Sequence, residues 1–262
     1  MPELFDMELR ARRRDRAARM GPELFLFERA FGDCLERIEL QDRRFKRALI
    51  IGCPDPPWRQ RIGSVAEAVD IRDPGPLFAE AAGGEVIVED AWKPPNETYD
   101  LVLAVGTFDT ANDLRIALRL IGYAMKADAL LIGAFSGGET LPQLRSALRA
   151  ADALARGAAP HVHPRIEPSA LPGLLTDAGF VGSVVDVDRV QVSYSSLERL
   201  VADLRSMGST NILCSRAGPL TRAQREAAIF AFSEAGDGER TTETFEILHF
   251  AAWIPEKGLM PR

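Results

Sequence analysis

The chain of 262 residues has only three cysteines, Cys34, Cys53 and Cys214, and no C-x-x-C spacing. An odd, sparse set excludes a disulfide framework and a zinc knuckle, and reads as a reducing, cytoplasmic setting. No apolar run reaches the roughly 18–20 residues that a membrane span needs. No hydrophobic signal core precedes the Arg-rich start, and Glu3, Asp6, Glu8 and Asp15 argue against a mitochondrial leader, which is poor in acids. G-x-S-x-G, P-loop and H-E-x-x-H patterns are missing, so hydrolase, NTPase and zincin chemistry have no foothold. The lack of G-x-G-x-x-G after the first strand candidate removes a dinucleotide-dependent oxidoreductase. A formal net charge of −6 argues against general nucleic-acid binding.

What is present is an alternation of helices and short apolar strands. Residues 3–20 read as a basic amphipathic helix. Residues 22–41 read as a second, with Leu24, Phe27, Phe31, Leu35 and Ile38 on one face. Strand candidates follow at 47–52, 65–71, 85–89, 99–105 and 129–135. Helices are expected at 76–82, 112–126 with Asn112 as N-cap, 141–156 and 171–178. Two longer, alternating strands are expected at 184–194 and 242–253, with helices at 196–206 and 221–235 between them. Strands alternating with helices imply an α/β fold with a mostly parallel, doubly wound sheet. The last two strands suit antiparallel pairing at one edge.

Ligands of open α/β sheets bind beyond the carboxyl ends of the strands, so chemistry is sought there. Strand one ends in IIGCPDPPW. Gly52 can approach a ligand, but Pro54, Pro56 and Pro57 fix φ and donate no hydrogen bond. Strand two ends in VDIRD, where Asp70 suits ribose hydroxyls; a solvated acid or a helix cap is the equal alternative. In EDAW, Asp90 could accept from an adenine amino group and the Ala91 amide could donate to the ring. In AVGTFD, Val105 and Gly106 would floor a pocket, with Asp109 at its mouth.

At these residues the chain resembles the class I S-adenosylmethionine (SAM) dependent methyltransferases. More narrowly it resembles the branch holding malonyl-acyl-carrier-protein methyltransferase and an arginine-hydroxylating complex I assembly factor. The likeness rests on LFDMELRARRRDRAA at the start, YDLVLAVGTFDTANDLRIAL, GAFSGGETLPQLRSAL at 133–148, and VDVDRVQVSYSSLERLVADLRSMGSTNIL at 185–213. It implies a Rossmann-like seven-stranded sheet and one domain over 1–262. Within that domain it implies an N-terminal helical cap at 1–42, a nucleoside-binding half at 43–136, and a substrate-side half at 137–262 with a helical insertion at 196–236. It implies S-adenosylmethionine as cofactor, held by Gly52, Asp70, Asp90, Ala91 and Val105, and a small-molecule or protein acceptor. Ile50 stands where the family's strand-one acid belongs, and Pro54 and Pro56 stand where glycines belong. Two or three lost backbone contacts would remove ~3–5 kcal/mol of cofactor binding, or about 100- to 4,000-fold in affinity. The expectation is a methyltransferase-like protein whose pocket keeps its nucleoside end and loses its methionine end; the alternative is a catalytically silent scaffold or assembly factor.

Other features carry less. His161 and His163 would face one side of an extended segment, as metal ligands or as ordinary loop residues. Glu139 could line a substrate pocket, and Thr140 could cap the next helix. RSMGSTN, at 205–211, reads as a lid or as a glycine-capped helix end. The first helix reads as a solvated cationic face or as a surface for an acidic partner such as an acyl carrier protein.

Overall fold

The computed structural model describes residues 3–155 and 157–256. Two helices, Met7–Met20 (α1) and Phe25–Glu39 (α2), precede the first strand. Phe45–Ile51 (β1) lies inside the sheet; it pairs in parallel with Ala66–Asp73 (β2) on one side and with the central strand, Tyr99–Val105 (β4), on the other. Glu85–Val86 (β3) extends the sheet beyond β2, and Met125–Ser136 (β5) pairs in parallel with β4. Thr241–Trp253 (β7) runs antiparallel between β5 and Val181–Tyr194 (β6). The resulting order is β3-β2-β1-β4-β5-β7-β6.

The strand sequences explain the layering. Alternate residues of a strand face opposite sides of the sheet. In β1, Ile50 joins a core with Phe31 and Ile38 of α2, while Leu49 and Ile51 join the opposite core with Val102 of β4 and Leu118 of Leu114–Ala124 (α5). β4 is buried along its whole length, as a strand covered on both faces must be. Asp100 ties the two central strands together, accepting the Lys46 and Arg47 amides at 2.8 Å each.

A third core belongs to the C-terminal lobe. It packs Pro142–Asp152 (α6), Leu197–Ser206 (α8) and Arg222–Glu234 (α9) around Leu144, Ala147, Leu200 and Phe232. α8 and α9 lie between β6 and β7 in sequence. Ser196 caps α8, and Thr221 with Gln224 forms a capping box on α9. Leu171–Asp177 (α7) ends before Gly179, whose φ of 94° reverses the chain.

Several local expectations shift. The EVIVE segment pairs only through β3, because the chain turns where Ala91 donates to the Val88 carbonyl. β2 runs on to Asp73 rather than stopping at Ile71. Asp113 caps α5, not Asn112. The Asn112 amide instead accepts the Leu4 and Phe5 amides and donates to the Phe5 carbonyl, which anchors the N-terminal segment. The expected helix from 141 ends at Asp152; Arg156 lies outside the described residues.

Candidate cofactor cleft and its arginines

The carboxyl ends of β1, β2 and β4 meet at Gly52, Asp73 and Val105. Gly52 has a φ of 80°, and a Cβ there would stand 2.2 Å from the Val105 carbonyl oxygen and 2.6 Å from Thr107 Cγ2. Only glycine fits. Beyond it, the proline-rich loop leads into the five-residue helix Trp58–Ile62 (α3). Trp58 stacks on Phe31 at 4.3 Å between ring centres and donates its indole N–H to Glu28. The loop is thus pinned to α2.

Asp73, not Asp70, stands at the end of β2. It is fully buried, and its carboxylate accepts four donors. Arg14 supplies two, Nε at 2.8 Å and Nη2 at 2.6 Å; the Cys53 amide gives a third at 2.8 Å and the Gly75 amide a fourth at 2.6 Å. A carboxylate offers about four lone-pair positions. Asp73 is therefore saturated by the protein's own donors. α1 lies close over it: a Cβ on Gly75 would come within 2.7 Å of Arg14 Cβ.

The same helix closes the next strand end. Arg10, one turn before Arg14, makes a bidentate pair with buried Glu89 at 2.7 and 2.8 Å, and donates to the Thr107 carbonyl at 2.7 Å. Burial, the largest single influence, lowers the affinity of Arg10 for its proton, but Glu89 with Asp109 and Asp73 together hold the guanidinium above its ordinary pKa. Asp109, at the mouth, is paired with Arg165 from the segment before α7. Burial, with Asp73 and Asp55 nearby, pushes the Cys53 thiol up to about 12, so it stays protonated.

Space remains on the other side. A cavity of about 100 Å³ is lined by Val105, Gly106, Asp109, Ser136, Thr140 and Glu246, with Arg10 and Arg14 forming its wall. Cofactor and ligand sites commonly measure roughly 300–1,000 Å³. The free volume lies toward β5 and β7, while Arg10 and Arg14 occupy the acids at and beyond the end of β2. As arranged, these side chains do not fit a nucleoside cofactor.

Of the sequence-derived set, Val105 lines this cavity and Gly52 abuts it through the Val105 carbonyl. Asp70 lies in mid-strand, opposite Leu49, and accepts from Arg47 Nε at 2.9 Å and the Tyr99 hydroxyl at 3.0 Å. Three further residues carry β2 beyond it to Asp73. Asp90 accepts the Asp113 amide at 2.8 Å and so fixes the start of α5, and the Ala91 amide is spent in its own turn. Glu139 is exposed. Thr140 does not cap α6: its hydroxyl accepts the Glu246 amide and donates to the Glu246 carbonyl. His161 bonds Asp152 at 2.8 Å, and buried His163 accepts the Ile212 amide at 2.9 Å. Burial first, then Arg165 and Arg13, pull His163 down to about 3. The described residues contain no group of three potential metal ligands. Gly208, with a φ of 70°, ends α8.

This strand order, with glycine at the end of β1 and acids after β2 and β3, defines the class I SAM-dependent methyltransferase fold. Solved structures agree. The YcgJ protein of Bacillus subtilis superposes with a TM-score of 0.57 at 12% identity, covering 86% of this chain and 99% of that one. A Haemonchus contortus phosphoethanolamine N-methyltransferase bound to S-adenosylhomocysteine gives a TM-score of 0.52 at 12% identity, over 86% of this chain and 52% of that one. The chain belongs to the family of the mitochondrial arginine-hydroxylase NDUFAF5: it is 31% identical to the mouse protein over 271 residues, 95% of this chain and 77% of the relative. It is also 31% identical over 141 residues to the malonyl-acyl-carrier-protein O-methyltransferase of Xylella fastidiosa, across 53% of this chain and 46% of that protein. No family model matches. No helix among the described residues is long and apolar enough to cross a membrane.

Proposed function

We propose that this chain is a catalytically silent member of its family, a binding or assembly factor that uses the methyltransferase fold without taking up S-adenosylmethionine. One observation carries this reading. The acid at the end of β2 accepts four donors from the chain itself, two of them from Arg14. A ribose would have to displace a buried guanidinium, which costs about 3–5 kcal/mol when it strands a buried carboxylate. The proline-substituted loop adds to that cost. Calorimetric titration with S-adenosylmethionine and S-adenosylhomocysteine tests the proposal. No heat of binding at millimolar ligand is expected; saturation in the micromolar range contradicts it.

A second reading has its own support. Asp73, Glu89 and Asp109 each already hold a guanidinium. A cleft so furnished suits an arginine side chain presented by a partner protein, in keeping with the name of the mouse relative. The segment carrying Arg165 would be the element exchanged. Crosslinking of an arginine-bearing peptide within reach of Asp109, lost in Asp109→Asn, supports this reading; equal crosslinking in that variant removes it. The cytoplasmic setting read from the cysteines and the division of the chain into cap and two halves stand as parts of the same proposal.

A further inference from the structure

A second and larger cavity lies in the C-terminal lobe, apart from the strand ends. Its volume is about 570 Å³, inside the range of small-molecule sites. Leu144 and Leu148 of α6, Leu197 and Val201 of α8, and Leu220 and Ile229 beside and on α9 line it. Leu148, Val201, Leu220 and Ile229 are only partly buried, so the cavity keeps apolar surface that no side chain of the lobe covers. The cleft's small cavity shares Leu141, Leu204 and Thr210 with it as a common wall.

One end of this apolar space is cationic. Arg205 lines it, and Thr210 accepts from Arg16 Nη2 at 3.5 Å. Arg16 Nε is shielded from solvent and has no hydrogen-bond partner. Arg13, just outside the lining, lies against the end of α8, its carbonyl oxygen 3.5 Å from where a Cβ on Gly208 would stand; burial first, then repulsion from Arg16, Arg216 and Arg205, lowers its pKa. Among the described residues neither Arg13 nor Arg205 has a hydrogen-bonded or ion-paired carboxylate. The acids facing the group are engaged: Asp6 caps α1 and pairs with Arg216 at 3.3 Å, and Glu198, which also lines the cavity, pairs with Arg225 at 3.4 Å. Like charges gathered without counterions cost stability unless an anion joins them.

We propose that this cavity binds an anionic amphiphile: a single acyl chain lies among α6, α8 and α9, and its carboxylate or phosphate head meets Arg205 and Arg13. The apolar lining rewards a chain, and the unpaired arginines reward a head of negative charge. The two cavities share a wall, but neither feature depends on whether the cleft takes a cofactor.

Titration of the full chain below the critical micelle concentration tests it with four probes: dodecanoate, dodecyl phosphate, dodecanol and inorganic phosphate. Both anionic amphiphiles are expected to saturate, and the tighter of the two identifies the head. Dodecanol is expected to bind at least tenfold more weakly. Shortening the chain by two carbons should weaken binding about tenfold. Arg13→Glu with Arg205→Glu should weaken the anions at least tenfold and leave dodecanol unchanged. Val201→Trp, which puts an indole into the chain's path, should weaken binding of every amphiphile at least tenfold. Dodecanol binding as tightly as dodecanoate, or dodecanoate binding unaltered by Val201→Trp, would overturn the proposal. Should that variant fail to fold, photo-crosslinking of a diazirine fatty acid to the unaltered chain decides: adducts on α6, α8 and α9 support it, and adducts elsewhere refute it.

Discussion

Arg14 and Asp73 are 59 positions apart in sequence and form a fully enclosed, two-pronged ion pair at the end of β2. Their side chains are 6% and 0% exposed. The pair fills the place where this fold otherwise receives a ribose, and it joins the N-terminal helix to the sheet.

Removing one partner should therefore be costly. Arg14→Ala leaves a buried carboxylate with only two amide donors, and should lower unfolding free energy by about 3–5 kcal/mol. Asp73→Asn keeps one acceptor oxygen, but its NH2 faces one amide and one Arg14 donor and leaves a buried guanidinium unpaired, so it should cost a similar amount. The double variant should lose clearly less than the sum of the two. Urea denaturation of all four proteins measures the coupling; strict additivity would mean the pair does not hold α1 in place.

The loop and the ion pair make separable demands on ligand binding. Pro54→Gly with Pro56→Gly should not by itself bring measurable affinity for S-adenosylhomocysteine, because Asp73 stays saturated. Adding Arg14→Ala frees two lone pairs, and this triple variant should bind more tightly than the loop variant. The assay is calorimetry under conditions where circular dichroism shows the variants folded. Restoration by the glycines alone would place the obstacle in the loop.

Gly52 keeps its place for steric reasons. Gly52→Ala should destabilise the chain by about 2–4 kcal/mol, combining a positive φ with a collision against the Val105 carbonyl. Thermal unfolding checks this. Gly157→Ala, where an added Cβ meets nothing within 4 Å, is the control and should change little.

Stability should fall on the acid side of neutrality. His163 is held near 3 in the folded chain, against an ordinary value of 6.5. Its contribution is complete above pH 6.5 and is lost as pH falls from there toward 3, because only the unfolded chain takes up the proton. The loss amounts to about 2 kcal/mol by pH 5. Burial lowers His249 as well, in the same direction. His163→Gln, which retains an acceptor for the Ile212 amide, should flatten part of the pH dependence seen in urea melts between pH 7 and 5. An unchanged slope would contradict the neutral state of His163.

Much of the architecture is legible in the sequence because strand and helix periods are set by burial. The short apolar runs at 47–52, 99–105 and 129–135 become the central strands, and the two alternating segments become the antiparallel edge. Val105 and Asp109 are found at the cleft for the same reason: they close a strand whose end is unmistakable. The site was less legible. In VDIRD two acids compete, and the choice depends on where β2 stops; pairing with β3 carries it to Asp73, which no local pattern reveals. The first helix misleads more. Periodicity assigns buried faces to apolar side chains, yet α1 buries Arg10 and Arg14, with Ala17 on the same face. Their four-residue spacing was a usable signal, but their partners Glu89 and Asp73 lie 79 and 59 positions away. Asn112 has the residue type of a local cap, but its partners, Leu4 and Phe5, are more than a hundred positions away.

The arginines of α1 occupy the acids at the strand ends of the cleft. A crystal structure of the chain grown with millimolar S-adenosylhomocysteine would reveal whether they yield to a nucleoside. Arg14 is expected on Asp73 and Arg10 on Glu89, with no ligand between Gly52 and Asp73. Density for the nucleoside there, with its ribose hydroxyls on Asp73 and Arg14 displaced, would contradict it.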